Sequence, residues 1–325
     1  MKKFLLTTAT LILATALFTS CGNKQQPEAD TTKQAVPADT TKQASPATEQ
    51  PVAVDKKNFD SLVNSIDVAS DEEISASQWA TAVKKAGVLR VGGVLTSFLF
   101  SQLDETDGKV RGFDSGIFEL LARYILGDAS KYEVTQVTSS TREAVLQSAQ
   151  VDVVVATYSI TEKRKELISF AGPYYTSRQA VLVKAGNKDI SGVNSLEGKR
   201  VATQSGSTGP AILAQFAPKA IVEEFKSDIE ARTAVQQKRV DAYVTDYTLL
   251  LNAIVKNPNT FEIAGEPFGS EDNYGLGLPK DSDGVAFINA FLKKIIENGT
   301  REKLWIESLG KRTGIENAPA APVIE

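Results

Sequence analysis

Two arginines and the hydroxyls near them are the side chains best suited to bind a small anion. Thr157, Ser159 and Arg164 follow an apolar strand predicted over residues 151–155. A guanidinium group holds a carboxylate through two parallel hydrogen bonds, so Arg164 could hold a ligand there. A second interpretation makes Thr161 a helix cap and Arg164 a solvated side chain. The spacing alone leaves both interpretations open.

The segment Gln204-Ser-Gly-Ser-Thr-Gly209 lies between a predicted strand and a predicted helix. Its small residues, including Gly206, let the backbone approach a ligand, and the amides of Ser207 and Thr208 would face an anion at the helix start. The Lys-Ser/Thr ending of a phosphate-binding loop is missing. A tight turn with a Ser/Thr cap is the alternative.

An acid and a second arginine complete the set. Asp246 ends an apolar strand predicted over 240–246, where it could accept a hydrogen bond from an ammonium group or cap the next helix. Ser139-Ser-Thr-Arg142 follows the strand predicted over 132–137 and supplies either a capping turn or a partner for a second acidic group. Without a nucleophile–base pair, these residues predict recognition of a zwitterion that carries an extra carboxylate, and no catalytic residue.

Composition excludes several other functions. The chain of 325 residues has no histidine and one cysteine. Ser-His-Asp and Cys-His catalysis, His-ligated metals, intramolecular disulfides and thiolate clusters are therefore ruled out, and no metal or cofactor is predicted. A net charge of −4 argues against a nucleic-acid-binding protein.

Alternating strands and helices must position these side chains. Strands are predicted over 88–94, 132–137, 151–157, 180–184, 200–204, 221–225, 240–246 and 274–278. Helices are predicted over 117–126, 142–149, 210–216, 229–238, 248–256 and 285–297. This order indicates an α/β fold with mainly parallel strands. The length of the chain favours two sheets over one. The candidate residues follow strands, where open α/β sheets bind ligands.

The N-terminal sequence predicts an export signal followed by a tether. Two lysines precede the apolar run 4–18, and the single cysteine, Cys21, follows it. This stretch resembles a bacterial lipoprotein signal, which implies cleavage after residue 20 and a lipid on Cys21. Residues 22–58 lack aromatic side chains and repeat Ala-Asp-Thr-Thr-Lys-Gln-Ala, so 21–58 is predicted to be a disordered tether, followed by a linker or short helix over 59–78. The tail after Arg312 is predicted to be a loose end.

Nine motifs in one collinear run, over about residues 88–309, resemble the family 3 solute-binding proteins of ABC amino-acid uptake systems. They are Val88-Leu-Arg-Val-Gly, Gly112-Phe-Asp114, Val151-Asp-Val-Val-Val-Ala-Thr, Ile160-Thr-Glu-Lys-Arg164, Phe170-Ala-Gly-Pro-Tyr-Tyr175, Leu196-Glu-Gly-Lys-Arg-Val201, Val240-Asp-Ala-Tyr-Val-Thr-Asp246, Tyr274-Gly-Leu-Gly-Leu-Pro-Lys280 and Asn298-Gly-Thr300. Thr-Tyr-Ser-Ile at 157–160, Gly206-Ser-Thr and Gly265-Glu-Pro-Phe268 are especially similar to glutamate-binding lipoproteins of the actinobacterial type.

The resemblance implies a fold of the type II periplasmic-binding-protein kind, with two α/β lobes, a two-stranded hinge and a cleft between the lobes. Lobe 1 would hold residues 79–180 and 274–325, and lobe 2 residues 181–273. Gly112-Phe-Asp114 is a family signature with a structural role, in which Asp114 opens a helix.

By position, the resemblance makes Arg164 the clamp for the ligand α-carboxylate and Asp246, from the other lobe, the acceptor for the α-ammonium. Arg142 matches the arginine that acidic-amino-acid binders place near the side-chain carboxylate. Phe98 or Phe100 would cover the ligand. The other implied ligand-binding residues are Thr157, Ser159, Ser139, Gln204, Gly206, Ser207 and Thr208.

The resulting prediction is an extracytoplasmic, lipid-anchored monomer that is not an enzyme. It would capture an amino acid, with L-glutamate favoured, by hinge closure and deliver it to an ABC permease. Glutamine and aspartate stay open as ligands of the same site. An enzyme resembling prephenate dehydratase and an orphan sensor are the alternatives on the same fold.

Overall fold

The computed structural model describes residues 51–315 and 317–324. The predicted signal peptide, Cys21 and most of the predicted tether therefore lie outside the described residues.

From residue 51 onwards, three short helices precede the first described strand. They are α1 (Lys56–Val63), α2 (Asp71–Ser75) and α3 (Gln78–Ala86). The Asp55 side chain caps α1 by accepting a hydrogen bond from the Asn58 amide. Phe59, Val63 and Ile74 are buried in the core of the elements that follow. The last residues assigned to the tether, 56–58, are thus helical, and α1 and α2 add apolar surface to lobe 1.

The rest of the chain alternates between strands and helices. The strands are β1 (Leu89–Gly93), β2 (Thr96–Ser97), β3 (Ser101–Leu103), β4 (Val110–Arg111), β5 (Tyr132–Gln136), β6 (Val153–Val154), β7 (Ser169–Lys184), β8 (Arg200–Gln204), β9 (Ile221–Phe225), β10 (Ala242–Asp246), β11 (Phe261–Ile263) and β12 (Phe268–Leu278). The helices are α4 (Phe113–Leu126), α5 (Arg142–Gln147), α6 (Glu162–Lys165), α7 (Gly209–Phe216), α8 (Asp228–Gln236), α9 (Tyr247–Lys256), α10 (Gly284–Glu297), α11 (Thr300–Trp305) and α12 (Lys311–Thr313).

One hydrogen-bonded sheet runs through both lobes, in the order β5-β1-β6-β12-β7-β10-β8-β9, with β11 on β7. The expectation of two mainly parallel sheets is wrong here because β7 and β12 are much longer than predicted. These two strands pair with each other antiparallel and carry the ladder from one lobe into the other. They form the two-stranded hinge.

Each lobe has a hydrophobic core of its own. The core of lobe 1 includes Phe100, Phe113, Phe118 and Phe291. Lobe 2 has apolar clusters that include Tyr243 and Leu250 in one and Val201, Leu213 and Val244 in the other. The α/β class with two lobes is confirmed. The predicted lobe boundaries stay predictions, and the buried side chains of α1 and α2 extend lobe 1 towards the N-terminus.

The C-terminal tail lies against lobe 1. Ala318 and Ile324 pack on its core, and Arg301 Nη1 donates to the Pro319 carbonyl oxygen at 3.4 Å. The described part of the tail is therefore held by contacts that the sequence pattern did not reveal. Among the described residues, no helix combines the length and the apolar character that a membrane span requires.

Candidate ligand-binding cleft

Most of the predicted ligand-binding side chains surround one small cavity of about 20 Å³ between the lobes. The cavity is lined by Ser139, Arg142, Thr157, Ser159, Gln204, Ser207, Thr208, Thr245, Asp246 and Leu249. A cavity of this volume holds a single water molecule. The lobes are therefore closed on each other, and an amino acid requires them to separate before it can enter.

Arg164 bridges the two lobes. Its Nη1 donates to the Ser159 carbonyl oxygen at 2.7 Å, and its Nη2 donates to the Gly206 carbonyl oxygen of lobe 2 at 3.0 Å. Its Nε lies 3.4 Å from a Glu143 carboxylate oxygen. The Thr161 hydroxyl accepts a hydrogen bond from the Arg164 amide, so the helix-cap interpretation also describes the structure. The guanidinium is nevertheless buried at the cleft rather than solvated.

Arg142 is buried beside Arg164 and has few partners. It begins α5, and its Nη1 donates to the Ala156 carbonyl oxygen at 3.1 Å. Among the described residues, its Nε has no hydrogen-bond partner. The guanidinium lies 3.9 Å from the ring centre of Tyr158, which Arg164 also faces at 5.1 Å. Burial and the positive charge of Arg164 lower the pKa of Arg142 to about 10. The site thus holds two close cations that an anion would stabilise.

Asp246 ends β10 on the opposite side of the cleft. Its Oδ1 accepts from Gln179 Nε2 at 2.5 Å, and its Oδ2 accepts from the Tyr274 hydroxyl at 2.6 Å. Asp246 occupies the N-cap position of α9, but its side chain makes no capping hydrogen bond. Burial raises the pKa of Asp246. Burial disfavours the isolated negative charge of the Asp246 carboxylate, and a bound ammonium group would compensate that charge.

The turn over 204–209 brings backbone rather than a long side chain against lobe 1. Gly206 has φ +74°, and a Cβ there would come within 2.8 Å of the Ser140 Cα. Only glycine fits this contact without a shift of one lobe. The sequence analysis expected the Ser207 amide to face an anion. In the structure this amide donates to the Gln204 carbonyl oxygen at 3.2 Å. The tight turn itself uses that amide.

Asp114 holds Thr157 in place from behind the cleft. It lies in the first turn of α4, and its Oδ2 accepts from the Thr157 amide at 2.8 Å. Its Oδ1 accepts from the Tyr174 hydroxyl at 2.7 Å. Thr157 has φ +42°, an unfavourable conformation for a β-branched residue, and the Asp114 bond offsets part of its cost. Asp114 opens the helix as expected and also shapes the site.

Neither of the two predicted phenylalanines, Phe98 and Phe100, lines the cavity. Phe98 is stacked by the Arg312 guanidinium, 3.8 Å from its ring centre, and lies outside the cavity lining. Phe100 is fully buried in lobe 1, where Phe113 and Tyr175 contact its ring edge-on. Both guanidinium groups face the ring of Tyr158 instead.

The hinge strands contribute two polar residues that the sequence analysis missed. Gln179 on β7 donates to Asp246, and its Nε2 also lies 3.2 Å from Asp272 Oδ2 on β12. Ser159 Oγ donates to the same Asp272 oxygen at 3.1 Å. A glutamine directly before the apolar run 180–183 and an acid two residues before the strand predicted over 274–278 were the available signals. Thr245 and Leu249 also line the cavity without having been predicted.

A larger cavity lies elsewhere, along the outer side of the hinge. Its volume is about 830 Å³, and it is lined by hinge residues, Trp305, Leu309 and the tail over 317–323. None of the predicted ligand-binding residues lines it. The buried charges are gathered at the small cavity, and we therefore place the candidate site there.

Comparison with known proteins identifies the family and the fold of the chain. Residues 89–308 match the family described as bacterial extracellular solute-binding proteins, family 3. The chain is 35% identical to the ABC transporter glutamine-binding protein GlnH of Bacillus subtilis, over 69% of this chain and 82% of that protein. It is 31% identical to the glutamate-binding protein GluB of Corynebacterium glutamicum, over 64% and 74%. The crystal structure of a cysteine-binding protein from Campylobacter jejuni superposes with a TM-score of 0.69 at 26% identity, over 76% of this chain and 98% of that one.

Proposed function

Because the chain belongs to family 3 of the bacterial extracellular solute-binding proteins, we propose that it captures L-glutamate in this cleft and delivers it to an ABC permease. It is an amino-acid-binding protein of an ABC transporter and not an enzyme, and its fold is the type II periplasmic-binding-protein fold. The choice of glutamate, the residue roles and the lipid anchor are the proposed part.

The Arg142 guanidinium, whose Nε has no hydrogen-bond partner among the described residues, carries the choice of an acidic ligand. Arg142 and Arg164 are both buried and share the face of Tyr158. Among the described residues, the two guanidinium groups make one ion pair within 4 Å, that of Arg164 with Glu143. Glutamate brings two carboxylates and one ammonium group. The α-carboxylate would pair with Arg164, the side-chain carboxylate with Arg142, and the ammonium group with Asp246.

Hinge closure follows from where these groups lie. Arg164 belongs to lobe 1 and Asp246 to lobe 2, so a bound amino acid contacts both only when the cleft closes. Its binding energy then favours the closed arrangement. A permease could distinguish this arrangement from the open one.

Glutamine is the second candidate because of the comparisons. The glutamine-binding proteins of Bacillus subtilis and Geobacillus stearothermophilus are 35% and 36% identical to this chain, against 31% for GluB of Corynebacterium glutamicum. A neutral side-chain amide, however, would leave the Arg142 charge without an anion. Aspartate would need Arg142 to reach a shorter side chain.

Calorimetric titration of the full chain, stripped of bound ligand by unfolding and refolding, tests the ligand assignment. Arg142→Met should weaken L-glutamate binding by about 5–150-fold, the cost of about 1–3 kcal/mol for one lost charged hydrogen-bond partner. Binding of L-glutamine should change by less than about threefold, because its amide gains little from the charge. Arg239→Met, which removes an exposed guanidinium on lobe 2, is the matched control. An equal loss for both ligands would remove Arg142 from specificity, and no binding of any amino acid would overturn the proposal.

We also propose that a lipid on Cys21 anchors the protein to the outer face of a membrane. The chain between Cys21 and α1 would then act as a tether. Cys21→Ser should move the protein from the membrane fraction into the soluble fraction of the producing bacterium, because the acyl chains provide the attachment. Retention of Cys21→Ser in the membrane fraction would contradict the anchor.

A further inference from the structure

Two carboxyl groups meet where β10 and β12 reach the cleft. The Asp246 and Asp272 side chains share one hydrogen-bond donor, and the negative charge of Asp246 acts on Asp272. Gln179 Nε2 spans the pair, with Asp246 Oδ1 at 2.5 Å and Asp272 Oδ2 at 3.2 Å. Two carboxyl groups held this close in a buried site repel each other when both are ionised, which favours a proton on one of them.

The charges around the pair do not remove the need for that proton. Arg142 on α5 acts on Asp246, and Arg164 on α6 acts on Asp272. Arg164 already pairs with Glu143. The phenols of Tyr243 on β10 and Tyr274 on β12 also lie near the pair and are neutral near pH 7. Glu162, Lys165 and Glu271 line a cavity together with Asp272. The pair with one proton carries a net charge of −1.

We propose that the ammonium group of the ligand binds between Asp246 and Asp272 and displaces the proton that they share. This inference rests on the proposed function, since it describes the same site. The proton leaves to solvent, both carboxyl groups become carboxylates, and the ammonium group contributes +1. The net charge of the two carboxyl groups and their bound cation is −1 before and after the exchange, so closure does not bury an additional charge.

The raised pKa of Asp272 is consistent with this exchange of a proton for an ammonium group. Burial, followed by the negative charge of Asp246, raises the pKa of Asp272 to about 7. Below pH 7 the pair holds its proton, which must leave when ligand binds. The affinity should therefore rise about tenfold per pH unit as the pH approaches 7 from below, and level off above it.

Calorimetry of the full chain in two buffers with different ionisation enthalpies counts the released protons. L-glutamate is the probe, and L-glutamine serves equally because its ammonium group is the same. At pH 6 we expect about 0.9 proton released per ligand bound, and at pH 8 about 0.1. Binding without proton release at pH 6 overturns the inference and leaves the proposed function intact. Absence of binding for both ligands overturns the proposed function, and the inference with it.

Two variants assign the released proton. Asp272→Asn should bind ligand at pH 6 with proton release reduced to about a tenth of the parent value, because the amide has no proton to give up. Glu271→Gln is the matched control, since it removes an exposed carboxylate one residue away and should release as many protons as the parent. Unchanged release from Asp272→Asn would show that another group loses the proton, which overturns the inference. If that variant does not fold, the two-buffer count on the parent still decides.

Discussion

Replacing Arg164 by Met should weaken the binding of L-glutamate and L-glutamine alike, by about 30-fold to several thousand-fold. Removing one partner of a buried charged hydrogen-bonded pair costs about 2–5 kcal/mol, and both ligands share the α-carboxylate that would lose its partner. Methionine keeps an unbranched apolar stem beside the Tyr158 ring, so the loss reports the guanidinium rather than the packing.

The comparison with Arg142 makes this result informative. Arg142→Met should weaken glutamate binding more than glutamine binding, whereas Arg164→Met should weaken both equally. The reason is that the two guanidinium groups have different partners in the structure. Arg164 contacts Ser159, Glu143 and Gly206 of lobe 2, and Arg142 contacts the Ala156 carbonyl oxygen. Lys165→Met, a neighbouring and more exposed cation on α6, is the control and should bind like the parent. A change of less than about threefold in Arg164→Met would assign the α-carboxylate to another group.

Local sequence pattern was sufficient to predict the bounds of short strands and helices that lie between turn residues. The strands over 200–204 and 221–225 have the predicted bounds, and the helix over 209–216 begins one residue before the predicted start. Each lies between turn residues, and its apolar residues are continuous or alternate with the expected period. The cavity lining, which includes residues of both lobes, could be proposed from sequence because each segment follows a strand.

Long-range contacts explain most of what sequence could not predict. Phe98 is held by Arg312, which lies 214 residues further along the chain, and no local pattern indicates that stacking. The first half of β7 contains Gly172 and Pro173, which argue against a strand when read alone. The first half of β12 is polar, with Glu271 next to Asp272, so local pattern indicated neither the full length of the hinge strands nor their acidic group. Their roles depend on pairing between the two strands.

The free energy of unfolding should depend on the protonation of Asp114, whose buried carboxyl group lies directly behind the cleft. Burial raises the pKa of Asp114 to about 7, although bonds from Tyr174 and the Thr157 amide and the charge of Arg142 act in the opposite direction. In the unfolded chain the group should titrate near its reference pKa of 3.8. Between these values the folded protein holds a proton that the unfolded chain has released. The free energy of unfolding should therefore fall as the pH rises from about 4 to 7, and this contribution should be constant above pH 7.

Asp114→Asn removes this dependence because an amide is neutral at every pH. Its Oδ1 can accept from the Thr157 amide, and its Nδ2 can donate to the Tyr174 hydroxyl, as the protonated acid would. Relative to the parent, Asp114→Asn should gain about 2–3 kcal/mol of unfolding free energy between pH 5 and pH 8, measured by denaturant unfolding at both values. Asp281→Asn removes a carboxylate whose side chain is 84% exposed and should show no such gain. An equal offset at both pH values would mean that Asp114 stays ionised inside lobe 1, with Arg142 as the nearby cation that compensates it. In that case part of the Arg142 charge would already be neutralised, and the argument for an acidic ligand would lose its strongest support.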